Sequence, residues 1–183
     1  MEGFSERIKV EQKDLIPRDA LEKCLWVMKA TAKAYNFGHK MQDKGKKNED
    51  IINYNYSINE VLGNLEYDFR EGRISKEEFE KSCKEVYERF DINFDVIKSN
   101  LEALEKAEEN DKKIKEYEQQ NYYKYEYDEE GNRKQTELDI ETQKHNDTLL
   151  TKLDNQTQKY IENKRNKEKS KDTKKEIGKG ERQ

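Results

Sequence analysis

A chain of 183 residues with 43% charged and 31% hydrophobic side chains departs from the average globular domain, which has roughly 25% and 45–50%, and so excludes a thick sandwich core. Thin helical layers fit this composition. The 37 basic and 41 acidic side chains nearly balance, so self-repulsion does not hold the chain unfolded, and no run of about 18 apolar residues exists to span a membrane. Met1 to Arg7 lacks the apolar stretch of a secretion signal, and the two cysteines, Cys24 and Cys83, sit within helical periodicity, where a buried thiol is the expected state. A soluble cytoplasmic protein of mainly α class is the expectation.

In chain order, Ile8 and Val10 alternate with Lys9 and Glu11 as a short extended start. After Pro17, which suits a first helical turn, Leu21, Leu25, Met28, Ala32 and Tyr35 recur at helical spacing, with Gly38 as a stop; Trp26, off this stripe, either widens the buried face, the favoured reading, or stands exposed at a partner surface. Gln42 to Lys47 reads as a loop and Asn48 as an N-cap, with Glu49 and Asp50 complementing the helix dipole. The second helix buries Ile51, Tyr54, Ile58, Val61, Leu62, Leu65 and Phe69. Gly72, Ser75 and Glu78 then spell a helix stop followed by a capping box, with Ile74 and Phe79 at the staple positions. A helical hairpin centred near Arg73 follows.

The third stripe, Phe79, Cys83, Val86 and Phe90, continues through Phe94, Ile97, Leu101 and Leu104 to Ile114 and Tyr117. Asp91 to Asp95 is rich in cap and turn formers, so one long helix and two helices joined at Asn93 both fit. From Asn121 to Ile140 the alternating tyrosines, the turn residues Asp128 to Asn132 and the segment Lys134 to Ile140 predict a small β-hairpin. These elements define a helical domain over residues 1–140. Leu149, Leu153 and Tyr160 leave a weak amphipathic helix over 141–163, and residues 164–183 read as a disordered, polar, basic tail.

Chemistry is sparse. Gly72, Ile74, Ser75 and Glu78 match late positions of a calcium loop, but Tyr67 and Phe69 would occupy its first ligand positions and offer a phenol and nothing. His39, His145, Cys24 and Cys83 lack the paired spacings of a zinc site, and no phosphate loop or nucleophile motif occurs. No catalytic residue, metal or cofactor is therefore expected. Three surfaces are candidates for binding. Tyr122, Tyr123, Tyr125 and Tyr127 offer large contact area to a protein partner. Lys164, Arg165, Lys167, Lys169, Lys171, Lys174 and Lys175 offer positive charge to nucleic acid. From Asn100 to Glu130 there are eleven Asp/Glu against five Lys, so Glu102, Glu105, Glu108 and Glu109 could form an acidic face mimicking nucleic acid.

Tyr125 to Arg133, Tyr-Glu-Tyr-Asp-Glu-Glu-Gly-Asn-Arg, resembles one unit of the tyrosine–aspartate repeats of large secreted bacterial proteins; over nine residues the resemblance implies a hairpin only. The Lys, Glu, Asn, Ile and Tyr usage is similar to that of small proteins from AT-rich bacterial genomes and their mobile elements. The functional expectation is a non-enzymatic protein–protein interaction module: an adapter, an inhibitor or a coiled-coil-like homo-oligomer. The alternative is a phage or mobile-element accessory protein acting on a nucleic-acid machine, by tail contacts or acidic mimicry, as inhibitors of CRISPR-type defence nucleases do.

Overall fold

The computed structural model describes residues 15–121 and 126–180, with side chains given as far as Lys171. Asp19 starts the first helix, α1 (Ala20–Asp43), by accepting a hydrogen bond from the Glu22 N–H at 3.1 Å, which satisfies one of the orphan donors of a helix start. The buried face of α1 is Cys24, Val27, Ala30, Thr31, Ala34, Phe37, Gly38 and Met41. It lies one position away from the expected stripe, and Leu25 is 46% exposed. Periodicity weighted by large apolar residues overlooked Ala30, Thr31, Ala34 and Gly38, which are small because neighbouring helices approach closely there. Gly38 is accordingly no stop. A Cβ built on it would lie 2.8 Å from Ile52 Cγ1, so it is the point where α1 and the second helix, α2 (Glu49–Arg70), pass at short range.

Asn48 occupies the N-cap of α2, but its carboxamide N–H donates to the Gly38 carbonyl at 3.1 Å rather than capping the helix. Along α2, Ile51, Tyr54, Ile58 and Leu62 are buried as the stripe predicts. The next turn follows the local code throughout. Gly72 adopts φ +74°, the Arg73 N–H donates to the Asp68 carbonyl, and Ser75 Oγ accepts from the Glu78 N–H to open α3 (Lys76–Arg89). With Ser75 committed to the cap and Gly72 to the left-handed stop, the turn is a helix junction.

The segment around Asn93 separates two helices. Asp91 takes φ 52°, the Ile92 N–H closes back on the Tyr87 carbonyl, and the Asn93 side chain accepts from Asp95 and Val96 to start α4 (Phe94–Gln120). The long α5 (Glu137–Gly180, 44 residues) completes the fold. Helices α1, α2, α5 and α4 form a closed ring of neighbours, with α3 packed against α1 and α2 at one end. One apolar cluster joins Cys24, Val27, Ile58, Leu62, Phe79, Cys83 and Phe90. A second joins Phe37 and Met41 of α1, Ile51 of α2, Leu104 of α4, and Leu149 and Leu153 of α5. Each cysteine is a buried free thiol, as small hydrophobes commonly are. No helix among the described residues is long and apolar enough to cross a membrane.

Two expectations need correction. No strand forms among the described residues; the predicted β-hairpin reduces to one antiparallel bridge between Tyr127 and Arg133. The intended returning strand is consumed by α5, because Thr136 and Asp139 form a reciprocal capping box: the Asp139 carboxylate accepts from the Thr136 N–H at 2.8 Å and the Thr136 hydroxyl accepts from the Asp139 N–H at 3.3 Å. The second correction concerns residues 164–180, expected as a disordered tail, whose backbone continues α5 without a break. An isolated polar segment must nucleate its own helix, which is costly. Here propagation starts from turns already packed at Leu149, Leu153 and Tyr160, and the Lys, Arg and Glu that follow are good helix formers. The domain boundary expected at residue 140 falls inside the first turn of α5.

Candidate functional site

The end of the ring where α1 stops, α2 starts and α4 hands over to α5 is organised by Arg133. Its guanidinium reaches Glu118 of α4 at 3.3 Å and Asp139 of α5 at 3.1 Å, while its backbone bridges Tyr127. Asp128 folds the intervening turn by accepting from Glu130 at 3.0 Å and Asn132 at 2.8 Å, with Gly131 at φ +86°. One arginine thus fixes the connector against both helices that it joins, and its planar fork suits a carboxylate on either side.

Around this node Tyr127 is 56% exposed, Tyr117 42% and Ile140 42%. Exposed apolar side chains scattered singly are ordinary, but these three stand on the three segments that converge on Arg133. The other exposed tyrosines lie elsewhere on the surface. Tyr67 lies beside Arg70 and Arg73, whose guanidinium carbons are 5.6 and 5.3 Å from its ring centre; Tyr56 leans on Tyr35 at 5.8 Å. Of the four tyrosines proposed for partner binding, Tyr127 is placed at this end, and Tyr122, Tyr123 and Tyr125 lie outside the described residues.

Beneath the connector a cleft of about 560 Å³ opens between Met41, Lys44 and Lys46, the α4 residues Asp111 and Ile114, and the first three turns of α5. Its floor is polar and buried: Thr142 is 5% and Asn146 3% exposed. His145, on the neighbouring face of α5, is bound within 2.8 Å of the Ala103 carbonyl. It serves the α4–α5 packing.

Burial pushes the Asp139 carboxyl up, but the Thr136 backbone N–H, the Arg133 guanidinium and the Thr136 hydroxyl outweigh it and hold the group below the usual carboxylate range. A depressed native pKa contributes stability that is complete above the unfolded-state value, near 3.9, and is lost as pH falls through the native value. Acidification below about pH 4 should therefore release the α5 cap and the connector, read as loss of amide protection at Thr136–Ile140 before the α2–α3 turn opens. Asp139→Asn should remove that early acid step.

Half of the acidic face is paired to cations of another helix. Glu105 pairs with Lys29 at 3.2 Å and Glu108 with Lys33 at 2.7 Å, Lys40 pairs with Asp111, and Glu109 is bridged to Lys113 one turn along at 3.1 Å. The three pairs made by Lys29, Lys33 and Lys40 zip α1 to α4 in parallel, although each exposed pair is worth only about 0–1 kcal/mol. Glu102 is exposed. The four glutamates are thus brought onto one helix, but two of them meet cations from α1.

Of the basic residues, Lys164, Arg165, Lys167, Lys169 and Lys171 are exposed on α5, with Lys167 at 3.8 Å from Asp91; the side chains of Lys174 and Lys175 lie outside the described ones. No group of three or more His, Cys, Asp or Glu able to hold a metal occurs among the described residues.

Sequence reasoning missed Arg133, Thr136, Asp139, Thr142 and Asn146. Thr136-Glu137-Leu138-Asp139 carries a capping-box pattern that would have started α5 correctly. The steps from Thr142 through Asn146 and Leu149 to Leu153 continue the apolar seam with polar residues. No family model, no curated protein and no solved structure matches this chain.

Proposed function

We propose that this protein is a non-enzymatic helical interaction module that docks a protein partner through the connector end of its four-helix ring. The observation that carries this reading is the convergence of exposed Tyr117, Tyr127 and Ile140 on the three segments tied to Arg133. Tyrosines anchor protein interfaces because they bury large area with little entropy to lose, and a connector pinned at both ends presents them preorganised. The partner is a protein with an apolar surface edged by polar groups. Nuclease-treated native lysate captured on the full chain, and on a Tyr117→Ser, Tyr127→Ser, Ile140→Ser triple variant, tests the proposal. A protein that the full chain retains and the triple variant loses supports it, and equal retention by both chains refutes it.

A second reading is favoured by the helical continuation of α5. Between residues 164 and 180 eight Lys/Arg face three Asp/Glu, a rod of positive charge suited to the phosphate backbone. In that case binding weakens steeply with salt and disappears from a chain ending at Lys164. Acidic mimicry has less support, because Glu105 and Glu108 already pair with Lys29 and Lys33.

A further inference from the structure

The cleft beneath the connector has a floor that folding alone does not explain. Thr142 and Asn146 are more than nine-tenths buried, yet among the described residues no group pairs with the Thr142 hydroxyl or the Asn146 side-chain oxygen. Threonines elsewhere on α5 return their hydroxyls to the preceding turn, Thr148 to Lys144 and Thr157 to Leu153. Thr142 does not do so, and both side chains line the cleft. An unpaired buried acceptor carries a desolvation penalty, and α5 places two such groups one turn apart where apolar residues would continue the Leu149–Leu153 seam.

The rim supplies the complementary charge. Lys44 and Lys46 are exposed at the mouth together with one carboxylate, Asp147, whereas the neighbouring Asp111 and Asp139 are engaged by Lys40 and Arg133. A volume of about 560 Å³ lies within the range of small-molecule sites and exceeds what an inorganic ion needs. We propose that this cleft binds a nucleotide-sized organic phosphate, its anionic group at Lys44 and Lys46 and an amino or amide N–H of its other end donated to the Asn146 carboxamide oxygen, with the Thr142 hydroxyl completing the floor. The carboxamide of asparagine suits the amino edge of a base, and lysine serves the phosphate as a point charge. This inference stands apart from the docking surface, since it rests on buried polar groups and not on the exposed aromatics.

Calorimetric titration of the full chain with adenosine 5′-monophosphate, guanosine 5′-monophosphate, adenosine and inorganic phosphate tests it. Saturable binding of at least one nucleotide is expected, with adenosine and phosphate each at least about tenfold weaker. Asn146→Leu should weaken that nucleotide at least about tenfold while raising the melting temperature of the ligand-free chain, since it removes an unpaired buried group; Lys44→Glu with Lys46→Glu should weaken it with no change in melting temperature. The proposal is overturned if neither nucleotide gives saturable heat, if phosphate binds as well as the nucleotides, or if Asn146→Leu binds as the parent does. In each of those cases the floor is a hydration site only.

Discussion

Leu153→Ala is expected to lower the unfolding free energy by about 2–5 kcal/mol, a large part of the roughly 5–15 kcal/mol that holds a domain together. Leu153 is 1% exposed and belongs to one cluster with Phe37 and Met41 of α1, Ile51 of α2 and Leu104 of α4, so truncation opens a cavity in the cluster that those helices share with α5. Relaxation is restricted because α1 and α2 are already pressed together at Gly38, and a site that cannot collapse keeps its cavity. Leu25→Ala is the matched control: Leu25 is 46% exposed and its loss should stay within about 0.5 kcal/mol. Urea unfolding of the two variants separates the observed α1 face from the one that periodicity suggests, and it decides whether α5 belongs to the core. Equal, small effects would place α5 outside the folding unit.

Phe79→Ala should cost about 3–5 kcal/mol and act on the other end of the molecule. Phe79 is 1% exposed and stacks on Phe69 with centroids 4.6 Å apart and an interplanar angle of 18°. It therefore contributes both core burial and the contact that closes the α2–α3 hairpin, an aromatic pair adding about 0.5–1.5 kcal/mol beyond area. Ser75→Ala, which removes only the cap hydrogen bond to Glu78, should cost about 1 kcal/mol. Thermal unfolding should rank the two in that order; a larger loss from Ser75→Ala would mean that the turn depends on its cap and not on the packing across it.

These two regions also mark where the fold could and could not be read from the chain. The α2–α3 turn was legible because Gly72, Ser75, Glu78, Ile74 and Phe79 all act within a few residues of one another, and each cue agrees with the next. The α1 face was not, because Ala30, Thr31, Ala34 and Gly38 are buried for their smallness, which a hydrophobicity pattern discounts. In α5 the seam is diluted by Thr142, Asn146 and Thr157, all of them buried polar residues, so only Leu149, Leu153 and Tyr160 stood out.

The candidate site depends on long-range register. Lys44, Asp111 and Arg133 stand on segments far apart in the chain, and they meet one another and Asn146 only after α1, α4 and α5 have docked. Lys29, Lys33 and Lys40 find Glu105, Glu108 and Asp111 for the same reason. A charge count over Asn100 to Glu130 sees acids but cannot see the cations that another helix brings to them. The aromatic character of the connector was visible, and its strand-like alternation was misleading because Thr136 and Asp139 commit the following residues to a helix cap.

The claim that the connector end docks a protein is tested most directly by placing a photo-crosslinking p-benzoylphenylalanine at position 127, and separately at position 169, and illuminating the full chain in its native lysate with and without nuclease treatment. The account predicts one dominant protein adduct from position 127 and none of matching yield from position 169. Adducts confined to position 169, or lost on nuclease treatment, would contradict it and move the functional surface to the basic end of α5.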